Sequence, residues 1–245
     1  MEHCRNWRVE GTVDHGSSLD IGRVFMKYGE RVPQCASSIR MAGLSDIVFL
    51  DFEASSLGKE GYPIEVAWVF ASGEEESHLI RPAASWTDWD AKAGRIHGIS
   101  REQLRTEGVP IEHVAQRMVS VLTGRQLYAT APSWDGKWLS KLLRAAGLPR
   151  HALRLEDTEM AHRRIVRDVL RDAQVPLDLY RTLMQEILAQ ARHVNVERGP
   201  AAHRALADAQ REQRLWHDIR SRAEDAAARF RQNAPEAIEE ASPLR

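Results

Sequence analysis

Residues 46–57, DIVFLDFEASSL, open with a β-branched and apolar run, Ile47 to Leu50, that reads as a buried strand. Strand side chains alternate between faces, so Ile47, Phe49, Asp51 and Glu53 share one face while Val48, Leu50 and Phe52 take the other. Two carboxylates thus stand side by side at the end of a strand too apolar to lie open to water. Buried acids repel one another unless a proton or cation relieves them, so the position suits a hard divalent metal.

The strand is followed by turn residues from Gly58 to Pro63. Ile64 to Phe70 then alternates as a second strand, and Ser77 to Ile80 makes a third after Gly73. Connections this short predict antiparallel hairpins. Ser85 with Asp88, and Ser100 with Gln103, have the spacing of helix-starting capping boxes. Ile111, Val114, Ala115, Met118, Val121 and Leu122 follow helical spacing, and Gln126 to Thr130 predicts another strand.

From Asp135 the apolar residues Trp138, Leu139, Leu142, Leu143 and Ala146 recur at helical spacing. An aspartate in a first helical turn has an ordinary explanation in the helix dipole. This one lies on the core-facing stripe, which directs it toward the sheet that carries Asp51. Leu153 to Leu155 predicts a short strand, Asp157-Thr158 a helix start, and two helices follow over about 158–172 and 176–193. Gly199-Pro200 predicts the start of a last long helix with Leu206, Ala209, Leu215, Trp216 and Ile219 inward. Five residues on a regular helix diverge by roughly 140°, so His203 and Asp208 face one site only if His203 lies outside it. His97 reads as the anchor of a turn, His113, His162 and His217 as helix-surface residues, and Trp86 and Trp89 as packing residues.

Composition sets outer bounds. The 245 residues, 43% hydrophobic and 28% charged, are enough for a substantial α/β domain. Residues 1–41 show no clear period and are expected to form a loosely attached extension, with Met41 an alternative start; 42–231 form the domain and 232–245 a frayed tail. No run approaches the roughly 18 apolar residues of a membrane span. Cys4 and Cys35 are the only cysteines, which excludes a disulfide framework or a cysteine zinc site and makes a reducing, cytoplasmic setting the expectation. The net charge of −1 conceals an asymmetry: residues 42–140 hold 9 Lys and Arg against 14 Asp and Glu, and residues 141–231 hold 18 against 13. Arginine supplies 29 of the 34 basic residues, which suits phosphate contacts or reflects genomic base composition.

Asp51-x-Glu53, then Asp135 at a helix start, then His203 with Asp208 five positions later, resembles the DEDDh, or DnaQ-like, 3′–5′ exonucleases over about residues 45–220. Ile96 to Ile99, Asp157-Thr158 and the run HRALADA from His203 are similar too. The resemblance implies a ribonuclease H-like α/β fold, a mixed central sheet flanked by helices. It also implies metal-dependent hydrolysis at the 3′ end of single-stranded DNA or RNA, releasing nucleoside 5′-monophosphates. Asp51, Glu53, Asp135 and Asp208 would hold two Mg²⁺ or Mn²⁺ ions, His203 would act as the base, and Ser55 and Leu57 would meet the terminal nucleotide. The chain departs from the family in having Ser55-Ser56 for the usual Thr-Gly, and Thr130 to Trp134 for the usual His-Asn-x-x-Phe. A homodimer, or a polymerase or RNA-processing partner, is compatible with the resemblance. The rival expectation is a catalytically weak module that binds nucleic-acid ends or a partner.

Overall fold

The computed structural model describes residues 43–233. The extension expected over 1–41 lies outside them, as does the expected tail apart from Gln232 and Asn233, which end a helix.

The apolar run forms β1 (Ile47–Ala54), preceded by a single 3₁₀ turn, Leu44–Asp46. It pairs antiparallel with β2 (Pro63–Phe70), which pairs antiparallel with β3 (Glu75–Leu79). On its other side β1 runs parallel to β4 (Gln126–Ala129), and β4 runs parallel to β5 (Leu155–Asp157). The order β3-β2-β1-β4-β5 is a mixed sheet with the carboxylate strand in the middle. Gly73, at φ 109°, takes the left-handed conformation that closes the β2–β3 hairpin.

Parallel strands need crossovers, and helices supply them. Between β3 and β4 come α1 (Ala91–His97), α2 (Arg101–Thr106) and α3 (Ile111–Leu122); between β4 and β5 comes α4 (Pro132–Ala145). After β5 follow α5 (Thr158–Asp172), α6 (Leu177–Glu197) and α7 (Ala205–Asn233). Period two in β1 sorts the layers as the sequence predicts. Val48, Leu50 and Phe52 pack with Met118 of α3 and Leu139 and Leu142 of α4. Phe49, on the opposite face, packs with Ile165 of α5, Leu188 of α6 and Trp216 of α7. The described residues form an α/β sandwich, a mixed five-stranded sheet flanked by helices. Helices cover both faces, so all eight residues of β2 are buried rather than half of them.

Local signals held where nothing distant competed for the same groups. Ser100 caps α2 by accepting from the Gln103 amide at 3.0 Å, and Asp157 caps α5 by accepting from Glu159 at 2.8 Å. The capping box expected at Ser85 is not used. Asp88 is instead bonded by the Ser56 hydroxyl, Trp86 stacks on Tyr62 with centroids 5.3 Å apart, and the helix starts at Ala91 under an Asp90 cap. Gly199, at φ 98°, closes α6 instead of opening the last helix, which begins at Ala205. His162 was expected on a helix surface and is buried in α5; His217 is half-buried, its Nε2 2.8 Å from the Ala71 carbonyl oxygen. Among the described residues no helix is long and apolar enough to cross a membrane.

Candidate metal centre

The pairing of β1 with β4 stops at Phe49 and Tyr128, because β4 ends at Ala129 and the chain turns into α4. The last residues of β1 therefore have an open edge on that side. Asp51 and Glu53 occupy it on the α7 face. Asp208, in the first turn of α7, meets them there: one carboxylate oxygen from each of Asp51, Glu53 and Asp208 lies within 4.8 Å of the others. Asp135 comes from the opposite layer, in the first turn of α4, and is 4% exposed. It lines the same cavity but stands outside that group of three.

Among the described residues, burial and mutual repulsion outweigh the positive charge beside these acids. Burial pushes the Asp51 carboxyl well above the usual carboxylate range, and Asp135, Glu53 and Asp208 push it further. Glu53 rises to about 7 through burial and the charges of Glu65 and Asp208, with Arg204 opposing. Asp135 rises to about 6 through burial, partly offset by backbone hydrogen bonds at Ala131, Phe52 and Asp135 itself. Converging oxygen donors with uncompensated charge are the ligand set of a hard divalent cation. The residues present fit such a cation.

His203 sits in the loop two residues before α7, with φ at 54°. Lying outside the helix, it faces the same cavity of about 720 Å³ as Asp208 despite the five-residue spacing. Its neighbours pin that left-handed turn: the Ala202 amide donates to Asp208 Oδ1 at 2.9 Å, and Arg204 and the Ala205 amide both bond Glu65. Leu57 projects at the cavity rim, 67% exposed. Ser55 does not line the cavity. Its hydroxyl accepts from the Tyr62 amide at 3.1 Å, and its carbonyl accepts from Asp90, so it braces the loop that carries Leu57. Ser56 lines the cavity in its place.

Several residues at the site escaped sequence reasoning. Glu65 is buried opposite Glu53 in the β1–β2 register, and its only sequence signal is a charge inside an apolar strand. Glu212 lines the cavity one helical turn beyond Asp208, a spacing that helical periodicity predicts to share a face; burial raises its carboxyl, and a hydrogen bond to Thr158 opposes. Asn195 and Arg211 complete that side. His97 does anchor a turn, its Nδ1 accepting from the Ile99 amide at 3.1 Å, and it lines the cavity as well.

No protein-family model matches the sequence. No curated protein matches it either. Solved structures do. The apo form of exonuclease I superposes with a TM-score of 0.52 at 17% identity, over 76% of this chain and 44% of that one. The chain shares the exonuclease I fold. A moderately thermophilic exonuclease I from Methylocaldum szegediense gives a TM-score of 0.53 at 16% identity, over 76% and 43% of the two chains. The zinc-bound form of an E. coli exonuclease I–ssDNA complex gives 0.51 at 18%, over 75% and 42%. The chain thus spans less than half the length of these structures.

Proposed function

We propose that the chain is a two-metal 3′–5′ exonuclease of the DEDDh type, removing nucleoside 5′-monophosphates from the 3′ ends of single-stranded DNA or RNA. The observation that carries this reading is the convergence of Asp51, Glu53 and Asp208 within 4.8 Å, on a cavity that also receives Asp135 and His203, in an exonuclease fold. Asp51, Glu53 and Asp208 would hold Mg²⁺ or Mn²⁺, and Asp135 would contribute from the α4 side. When bound, two such ions supply charge stabilisation to the scissile phosphate and acidify the attacking water. His203, exposed to the cavity on its strained turn, takes the proton of that water at an imidazole nitrogen. Leu57, held out by the Ser55–Tyr62 brace, offers an apolar surface to the terminal base.

The test is digestion of matched 5′-labelled DNA and RNA oligomers with Mg²⁺, with Mn²⁺ and with chelator. A ladder shortening from the 3′ end, with mononucleotide released and chelator abolishing both, is expected. Strand binding without metal-stimulated mononucleotide release would leave the chain a binding module on this fold.

A further inference from the structure

The acid cavity explains where a strand ends, not what holds the rest of it. Its carboxylates repel phosphate, and the chain as a whole carries a net charge of −1. A second hollow, of about 540 Å³, lies on another flank of α4 and has the opposite character. Lys137, Arg150, His151 and Arg154 line it together with Ser140, and no carboxylate does.

Helical spacing relates the two hollows. Trp134, Asp135 and Trp138 face the acid cavity, whereas Pro132, Gly136 and Ser140, four residues apart, face the basic one. At about 100° per residue, Lys137 falls between these two faces of α4. Its Nζ stands 4.2 Å from the Trp138 ring centroid and 5.1 Å from that of Trp134, and donates to the Gly58 carbonyl at 2.6 Å beside Leu57. It is the hinge between the acid rim and the basic groove. Beyond it, Arg150 donates only to His151 Nε2, at 2.8 Å, and Arg154 has no hydrogen-bond or ion-pair partner among the described residues. The adjoining hollow shares His151 and Arg154; its one carboxylate, Glu156, is already engaged by Arg164 at 3.2 Å. Two exposed guanidinium groups with no acid to bind, in an open groove, are suited to phosphate oxygens.

We propose that this groove binds the phosphodiester backbone of the same single strand, a few nucleotides upstream of the 3′ end held in the acid cavity. The assignment rests on the exonuclease reading and extends it: the preferred substrate is a strand long enough to cross α4, not a dinucleotide. Part of the arginine excess in the second half of the chain thereby acquires a role.

The full chain carrying R150A and R154A, and its R150K/R154K counterpart, test this. Anisotropy titrations in EDTA would use a labelled strand of about twenty nucleotides across a salt series, with inorganic phosphate as competitor. Each lost phosphate contact lowers the slope of log K against log salt by about 0.7 for a single strand, so the alanine pair should flatten it by about 1.4 and the lysine pair should keep it. The alanine pair should also lose about tenfold in kcat/KM on the long strand relative to a dinucleotide. An unchanged slope and an unchanged length preference, in a chain that still degrades both substrates, would overturn the groove and spare the exonuclease reading. An equal loss on both lengths would also overturn it. Displacement of the strand by millimolar inorganic phosphate would assign the site to free phosphate instead. A wild-type chain that neither binds nor degrades the strand would defeat both readings.

Discussion

Arg204 grips Glu65 through two parallel hydrogen bonds, Nε at 3.1 Å and Nη2 at 2.7 Å, joining the loop before α7 to the strand that pairs with β1. Glu65 is 2% exposed and also accepts from the Ala205 amide at 3.0 Å. In the β1–β2 register it stands opposite Glu53, and Arg204 directly follows His203. The pair therefore ties the backbone of the proposed base to the strand facing a proposed metal ligand, while its positive charge moderates Glu53.

Arg204→Ala leaves Glu65 buried with one amide for company. Breaking a buried pair costs about 3–5 kcal/mol, and about 2 kcal/mol is expected here because half the arginine side chain is in water. Turnover should fall more than strand binding, because His203 and Asp208 lose their anchor. R204K, which keeps the charge without the fork, should recover part of the stability and less of the turnover. Denaturant unfolding with matched kinetics would measure both; unchanged stability in R204A would show that the pair holds nothing.

Asp51→Asn should abolish metal-dependent hydrolysis while raising the thermal midpoint of the metal-free protein. Asp51, Glu53 at about 7 and Asp135 at about 6 are all raised above the usual carboxylate range near 4. A raised acid contributes stability below its unfolded pKa and loses it as pH rises through the folded one. The metal-free chain should thus lose stability from this cluster between about pH 4 and 7. The rise in midpoint on adding Mn²⁺ should grow across the same interval, as protons leave the ligands, and shrink in D51N. Thermal scans with EDTA and with Mn²⁺ at several pH values check this, and a metal effect independent of pH would contradict it.

His203→Asn separates chemistry from backbone. Asparagine tolerates the left-handed region that His203 occupies, so the fold should keep its stability. A general base contributes roughly 10²–10⁴-fold, so kcat should drop by that order with strand affinity nearly unchanged. Retention of the rate would pass the role to another group, with His97 the next to test.

His162 sets an acid limit on folding. Burial lowers its pKa to about 4, and its Nε2 has no hydrogen-bond partner among the described residues. The unfolded chain takes up this proton near pH 6.5 and the folded chain only near 4. Stability is therefore full above about 6.5 and falls through that window by up to about 3 kcal/mol. His162→Leu should remove this contribution to the acid slope. Urea unfolding at pH 7 and pH 4.5 would show the difference between variant and wild type narrowing or reversing at the lower pH; a parallel shift at both would refute it.

Much of the architecture was legible in the sequence because it follows from neighbours along the chain. Alternation over 47–53 set which side chains of β1 face α4 and which face α7, and helical stripes located α3 and α4. Ser100 and Asp157 cap helices three and two residues away, with nothing distant competing. The order and spacing of Asp51, Glu53, Asp135, His203 and Asp208 marked the residues that share one cavity. The tertiary structure decided everything that depends on a partner far along the chain. Asp88 was claimed by Ser56, His162 was buried between packed helices, and Glu65 met an arginine 139 positions away. The early end of β4 opened the edge where Asp135 reaches Asp51, and the turn of α4 placed Lys137 between an acid cavity and a basic groove. Local propensity is a property of a few consecutive residues, whereas burial, charge compensation and ligand convergence belong to the space between elements.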